Sequence, residues 1–137
     1  MCSSDLLLAG KTPADIAPHV AKSLAVPGAP ESSFLRLQAS IAALHKESYL
    51  MALDYVSNYK AKLDHVSVRV PVHVMVGELD ALTPLDRARA LAGRFRTCRV
   101  DVVPGAGHLS NMDNPDAFNQ LLDVFLGAQA TDRKSVV

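Results

Sequence analysis

Val74-Met-Val-Gly-Glu-Leu-Asp80-Ala-Leu-Thr-Pro84 and, further along, Pro104-Gly-Ala-Gly-His108-Leu-Ser-Asn111 are the stretches that decide the fold. The first closes a β-branched run, Val70 to Val76, which Gly77 ends. Such a run predicts a strand buried on both faces of a parallel sheet. The second follows a similar run, Arg99 to Val103, broken by Pro104-Gly105. Between them, Thr83 is placed to cap a helix and Pro84 to open it, with Ala88, Leu91, Ala92 and Phe95 as its core-facing stripe. After the second run, Asn114 caps and Pro115 opens a last helix. Its apolar face is Phe118, Leu121, Leu122, Phe125 and Leu126, and Gly127 is the expected stop. Strand, helix, strand, helix is the edge of a doubly wound α/β sheet.

In open sheets of this kind, chemistry collects beyond the carboxyl ends of the strands. Asp80 and His108 each follow such an end, so both turns can face one crevice. An aspartate there can accept the imidazole Nδ1–H, which fixes the tautomer and leaves Nε2 to take a proton. Gly105 and Gly107 flank the histidine's turn and permit backbone angles that bulkier residues resist. Taken singly, Asp80 also reads as a turn or helix-cap aspartate and His108 as a surface loop histidine.

These residues resemble a known family. Pro71-Val-His-Val-Met-Val-Gly-Glu-Leu-Asp80-Ala-Leu-Thr-Pro84, with Gly105-Ala-Gly-His108-Leu-Ser-Asn-Met-Asp-Asn-Pro-Asp-Ala-Phe118-Asn, looks like the C-terminal part of the α/β-hydrolase fold superfamily. The nearest flavour is the small bacterial enol-lactonases and carbon–carbon bond hydrolases. The resemblance implies the last two strands and helices of a mostly parallel sheet, preceded by helices of a cap region. It also implies Asp80 as triad acid and His108 as triad base, in this fold's own order of nucleophile, acid, histidine. The implied substrate is a small molecule with an ester, lactone or activated carbon–carbon bond. No cofactor and no metal are implied.

The sequence departs from that pattern at the nucleophile. No Gly-x-Ser-x-Gly occurs, and Ser32, Ser33, Ser40, Ser48, Ser57, Ser67 and Ser110 all lack the glycine frame. The loop that would supply oxyanion-stabilising N–H groups is not found either. The expectation is a fragment that carries acid and histidine and is inactive alone, its nucleophile a serine, aspartate or cysteine elsewhere. The alternative reading is a non-catalytic ligand-binding protein on the same fold. A third is a free-standing helical interaction module.

Before about Val66 the pattern is helical. Thr12 caps and Pro13 opens a helix with Ile16, Val20 and Leu24 on one face, ending near Pro27-Gly28. A second helix places Phe34, Leu37, Ile41 and Leu44 together, and a third from about Lys46 carries Tyr49, Leu50, Leu53 and Val56. Helices without their own sheet predict an accessory layer. Tyr49, Met51, Tyr55 and Tyr59 fit either the underside of a cap or ordinary helix packing.

The expected organisation is thus a helical cap portion over residues 7–66 and an α/β core portion over residues 67–130. Residues 1–6 and 131–137 read as foreign. Both can be written in codons with reverse-complementary cores that resemble the stem of a common sequencing adapter, and ordinary polar tails are the other reading. Two strands are too few for a stable sheet, which separately asks for further strands.

Composition narrows the partners. The 137 residues carry 14 Lys+Arg against 14 Asp+Glu, so the basic footprint of a nucleic-acid binder is missing. No apolar run approaches the roughly 20 residues of a membrane span, and a cytoplasmic protein without membrane partners is expected; oligomeric state is not legible. Cys2 and Cys98 make no disulfide framework. His19, His45 and His65 have no paired metal spacing, and His73, mid-strand, reads as a packed core histidine.

Overall fold

The computed structural model describes residues 3–28, 30–60 and 63–134, with the side chains of 130–134 left aside. The expected foreign ends therefore lie partly outside the described residues, Cys2 included. The chain divides into two compact units, Met1–Lys62 and Leu63–Val137.

The first unit is helical: α1 (Ser3–Leu8), α2 (Pro13–Leu24), α3 (Glu31–Ala42) and α4 (Lys46–Asn58). Helix α2 begins as its sequence dictates. The Thr12 hydroxyl accepts from the Asp15 amide while the Asp15 carboxylate accepts from the Thr12 amide, a reciprocal capping box. Ile16, Val20 and Ala21 of α2 join Leu7 and Ile41 in one buried cluster, against which Phe34, Leu37, Tyr49 and Leu50 pack. Two expected core positions are corrected. Leu44 lies beyond the end of α3 and is exposed, because the helix closes at Ala43 before its periodicity brings Leu44 inward. Val56 is exposed on α4, a helix with no fully buried residue. Helix α1 has no counterpart in the sequence reading.

The second unit contains β1 (Val72–Gly77), α5 (Leu85–Ala92), β2 (Cys98–Val103), α6 (Ser110–Asp113) and α7 (Pro115–Lys134), with a 3-10 turn at His65–Ser67. The two strands pair in parallel, Val72 with Cys98 through Gly77 with Val103. Val76, Ala88, Val103 and Ala106 form its buried apolar centre. His73 is a packed strand histidine as expected: its ring stacks on Phe125 at 4.6 Å and its Nε2 lies 2.8 Å from Asp101 Oδ2. Arg99 Nε approaches the same oxygen. Burial alone would raise the Asp101 pKa, but the Arg99 and His73 contacts outweigh it and hold the carboxyl below its ordinary range.

Three local expectations are corrected here. Helix α7 does not stop at Gly127 but runs to Lys134. Gly127 keeps a negative φ, and an interior glycine weakens a helix by about 1 kcal/mol without ending it. Leu126 is exposed, whereas Phe118, Leu121, Leu122 and Phe125 are half-buried. Thr83 does not cap α5, whose N-cap is Pro84 without a side-chain bond; the threonine hydroxyl is engaged elsewhere.

Candidate active site

The two turns that leave the carboxyl ends of β1 and β2 meet. Gly77 makes this possible, because a Cβ there would lie 2.2 Å from the Gly107 carbonyl oxygen and 2.4 Å from that of Ala106. The Leu79 amide then donates to Ala106 O at 2.8 Å and the Glu78 amide to Val103 O at 3.0 Å. Side chains complete the brace. Glu78 Oε2 accepts from the Gly105 amide at 2.8 Å, Asp113 Oδ2 accepts from the Gly107 amide at 2.9 Å, and Asn114 Nδ2 donates to Pro104 O at 3.0 Å. Gly105 adopts φ +65°, the left-handed region open to glycine. Gly107 is not among the positive-φ glycines; it is its carbonyl oxygen that approaches Gly77.

This framework brings the expected pair together. His108 Nδ1 lies 3.1 Å from Asp80 Oδ2, the geometry of an imidazole N–H donating to a carboxylate. The aspartate is also the turn residue of its simpler reading. Its Oδ1 accepts the amides of Leu82 and Thr83, both at 2.9 Å, and its Oδ2 accepts the Thr83 hydroxyl at 2.7 Å. One carboxylate oxygen thus builds the turn while the other faces the histidine. The Asp80 side chain is only 5% exposed against 38% for His108. Burial pushes the Asp80 pKa upward, yet the hydrogen bonds from Thr83, His108 and the Leu82 amide prevail and bring it to about 2. Asp80 is therefore an anion across the physiological range.

Beside the pair lies a cavity of about 320 Å³. Its walls are largely apolar, from Val74, Met75, Val76, Ala88 and Leu91, with Asp80, Thr83, Arg87, His108 and Ser110 as the polar groups. Ser110, which from sequence reads as loop polarity, opens α6 and reaches this wall. Sequence reasoning misses Arg87 and the hydroxyl of Thr83. The threonine sits in the same turn, three residues after Asp80, and its hydroxyl meets that carboxylate. His19, His45 and His65 take no part, and no cluster of three metal-ligating side chains occurs among the described residues. Nor is any helix among them long and apolar enough to cross a membrane.

Known proteins share this fold. Over 90% of the chain the structure superposes on an esterase from Thermogutta terrifontis, with TM-score 0.78, 22% identity and 46% of that chain covered. It superposes equally widely on a hydrolase from Pseudomonas aeruginosa, with TM-score 0.76, 20% identity and 48% covered. In sequence, 67 residues are 36% identical to a Caulobacter protein provisionally named carbamate hydrolase RutD, covering 49% of this chain and 25% of that protein. A further 26% identity over 89 residues links 64% of the chain to 26% of the Xenopus laevis monoacylglycerol lipase abhd6-B. No family model matches. The chain has part of the α/β-hydrolase fold. It spans about a quarter of the length of these curated relatives and just under half of the solved structures.

Proposed function

We propose that Asp80 and His108 are the acid and base of a hydrolytic triad, and that the nucleophile lies outside these 137 residues. The observation that carries this reading is the 3.1 Å contact between His108 Nδ1 and Asp80 Oδ2 at the wall of a largely apolar cavity. With Nδ1 engaged, Nε2 is the nitrogen left to accept a proton from an attacking hydroxyl or thiol and return it to the leaving group. The Asp80 carboxylate stabilises the imidazolium formed between those steps. An ester or lactone is the favoured substrate class. The relatives bear the names esterase, monoacylglycerol lipase and carbamate hydrolase, each directed at a carbonyl carbon that carries a heteroatom, and the apolar lining suits an acyl or alkyl group. In this reading residues 7–66 are cap material and the chain alone does not turn over substrate.

The test is hydrolysis of short-chain aryl esters by the longest reading frame that contains this sequence. His108→Ala should lower kcat by about 10⁴-fold or more, as removal of a triad base does elsewhere. Equal activity in wild type and variant would overturn the base assignment. Ester hydrolysis by the 137-residue chain alone, sensitive to His108→Ala, would overturn the external nucleophile.

A further inference from the structure

We infer that Thr83 is a positioning residue that fixes the tautomer of His108, a role that rests on the proposed triad for its catalytic meaning but not for its physical test. The Thr83 hydroxyl has one proton, and it is committed: Oγ1 donates to Asp80 Oδ2 at 2.7 Å. With that proton spent, the lone pairs of the same oxygen face His108 Nδ1 at 3.5 Å. Among the described residues His108 Nδ1 therefore meets two acceptors, Asp80 Oδ2 at 3.1 Å and Thr83 Oγ1 at the longer distance, and no donor. A neutral imidazole in this setting holds its proton on Nδ1 and leaves Nε2 bare.

The arrangement does more than duplicate the Asp80 contact. The carboxylate is clamped from both sides, Oδ1 by the Leu82 and Thr83 amides and Oδ2 by the Thr83 hydroxyl. Thr83 contributes through its backbone to one oxygen and its side chain to the other. Replacing the hydroxyl while keeping the amide separates the two contributions. Thr83 is exposed, so exchanging its side chain leaves the apolar centre intact.

The experiment uses the longest reading frame that contains this sequence, with His108 ring nitrogens read by long-range ¹H–¹⁵N correlation at alkaline pH. In wild type the Nδ1–H form should prevail. Thr83→Val should shift the tautomer ratio toward Nε2–H by about threefold, the low end of one hydrogen bond's worth. Thr83→Ser, which keeps the hydroxyl, should restore the wild-type ratio. An unchanged ratio in Thr83→Val overturns the inference, and so does a Thr83→Ser variant that behaves like Thr83→Val. Thr83→Ala provides the same test should the valine side chain perturb the turn. Failure of the hydrolase reading shows elsewhere, as absence of ester turnover in the longer protein with the His108 tautomer pattern intact.

Discussion

Gly77 and Gly107 meet through backbone alone: the carbonyl oxygen of Gly107 lies only 2.2 Å from where a Cβ on residue 77 would be. The obstacle is backbone, not a side chain that can turn aside, so the histidine turn must move if residue 77 grows. Gly77→Ala should destabilise the second unit by roughly 2–3 kcal/mol, within the range of overpacking substitutions. Hydrogen exchange of the β1 and β2 amides measures this. Wild-type protection in the variant would show that the turn shifts without strain.

Asp113 holds the same turn from the other side through its bond to the Gly107 amide. A hydrogen bond to a charged acceptor contributes roughly 1.5–3 kcal/mol when partly shielded. Asp113→Ala should therefore speed exchange of the Gly107 amide and weaken the coupling between His108 and Asp80, with Asp113→Asn intermediate because its amide oxygen can still accept. Unaltered Gly107 exchange in Asp113→Ala would mean that the Leu79 and Glu78 contacts suffice.

The depressed pKa of Asp80 makes a prediction about acid stability. Its folded-state value of about 2 lies below the ordinary 3.8, so the folded state holds its proton less tightly than the unfolded chain. The resulting stabilisation is fully present above the unfolded value and is lost as pH falls from about 4 through about 2. Asp101 and Asp15 are shifted in the same direction, so the comparison must be by variant. Asp80→Asn should flatten the acid limb of stability relative to wild type. Parallel curves for the two proteins between about pH 5 and 2 would refute the assignment.

Gly127 offers a gain. It is interior to α7 and exposed, its φ is negative, and a Cβ added there would meet nothing within 4 Å. Gly127→Ala should stabilise α7 by about 0.5–1 kcal/mol by restricting the unfolded chain. Greater amide protection across the helix measures it; reduced protection would show that the helix depends on the glycine.

How far the sequence anticipates this structure follows from how local each signal is. The strand before Gly77, the capping box at Thr12 and the Asn114 cap, whose Oδ1 accepts from the Ala117 amide at 3.2 Å, depend on a few neighbouring residues and are legible. So is the juxtaposition of Asp80 and His108, because parallel pairing carries both turns to the same edge. Thr83 misleads because a threonine before a proline gives the same signal whether it caps a helix or serves an aspartate three residues back. Gly127 misleads because glycine marks a helix end only when the chain there turns to positive φ. Helix α6 is a single turn, settled by the Asp113 bond to Gly107 and without periodicity of its own.

The His73–Asp101 contact has a bearing on the other histidine and aspartate. Each couple joins residues 28 apart, with the roles exchanged: histidine first within the strands, aspartate first beyond them. The ladder pairs each β1 residue with the one 26 positions on, as Val72 with Cys98, so His73 and Asp101 lie on a two-residue diagonal within it, while Asp80 and His108 meet in the turns beyond. Past the last rung, Gly77 with Val103, the Asp80 amide turns back to Gly77 O and the Leu79 amide reaches Ala106 O, so the contact between His108 and Asp80 is set by the turns that the paired strands carry. A slip of the two strands would break both couples at once. Alignment in the interior serves as a gauge for the crevice, and His73, set within the strands, keeps the measure.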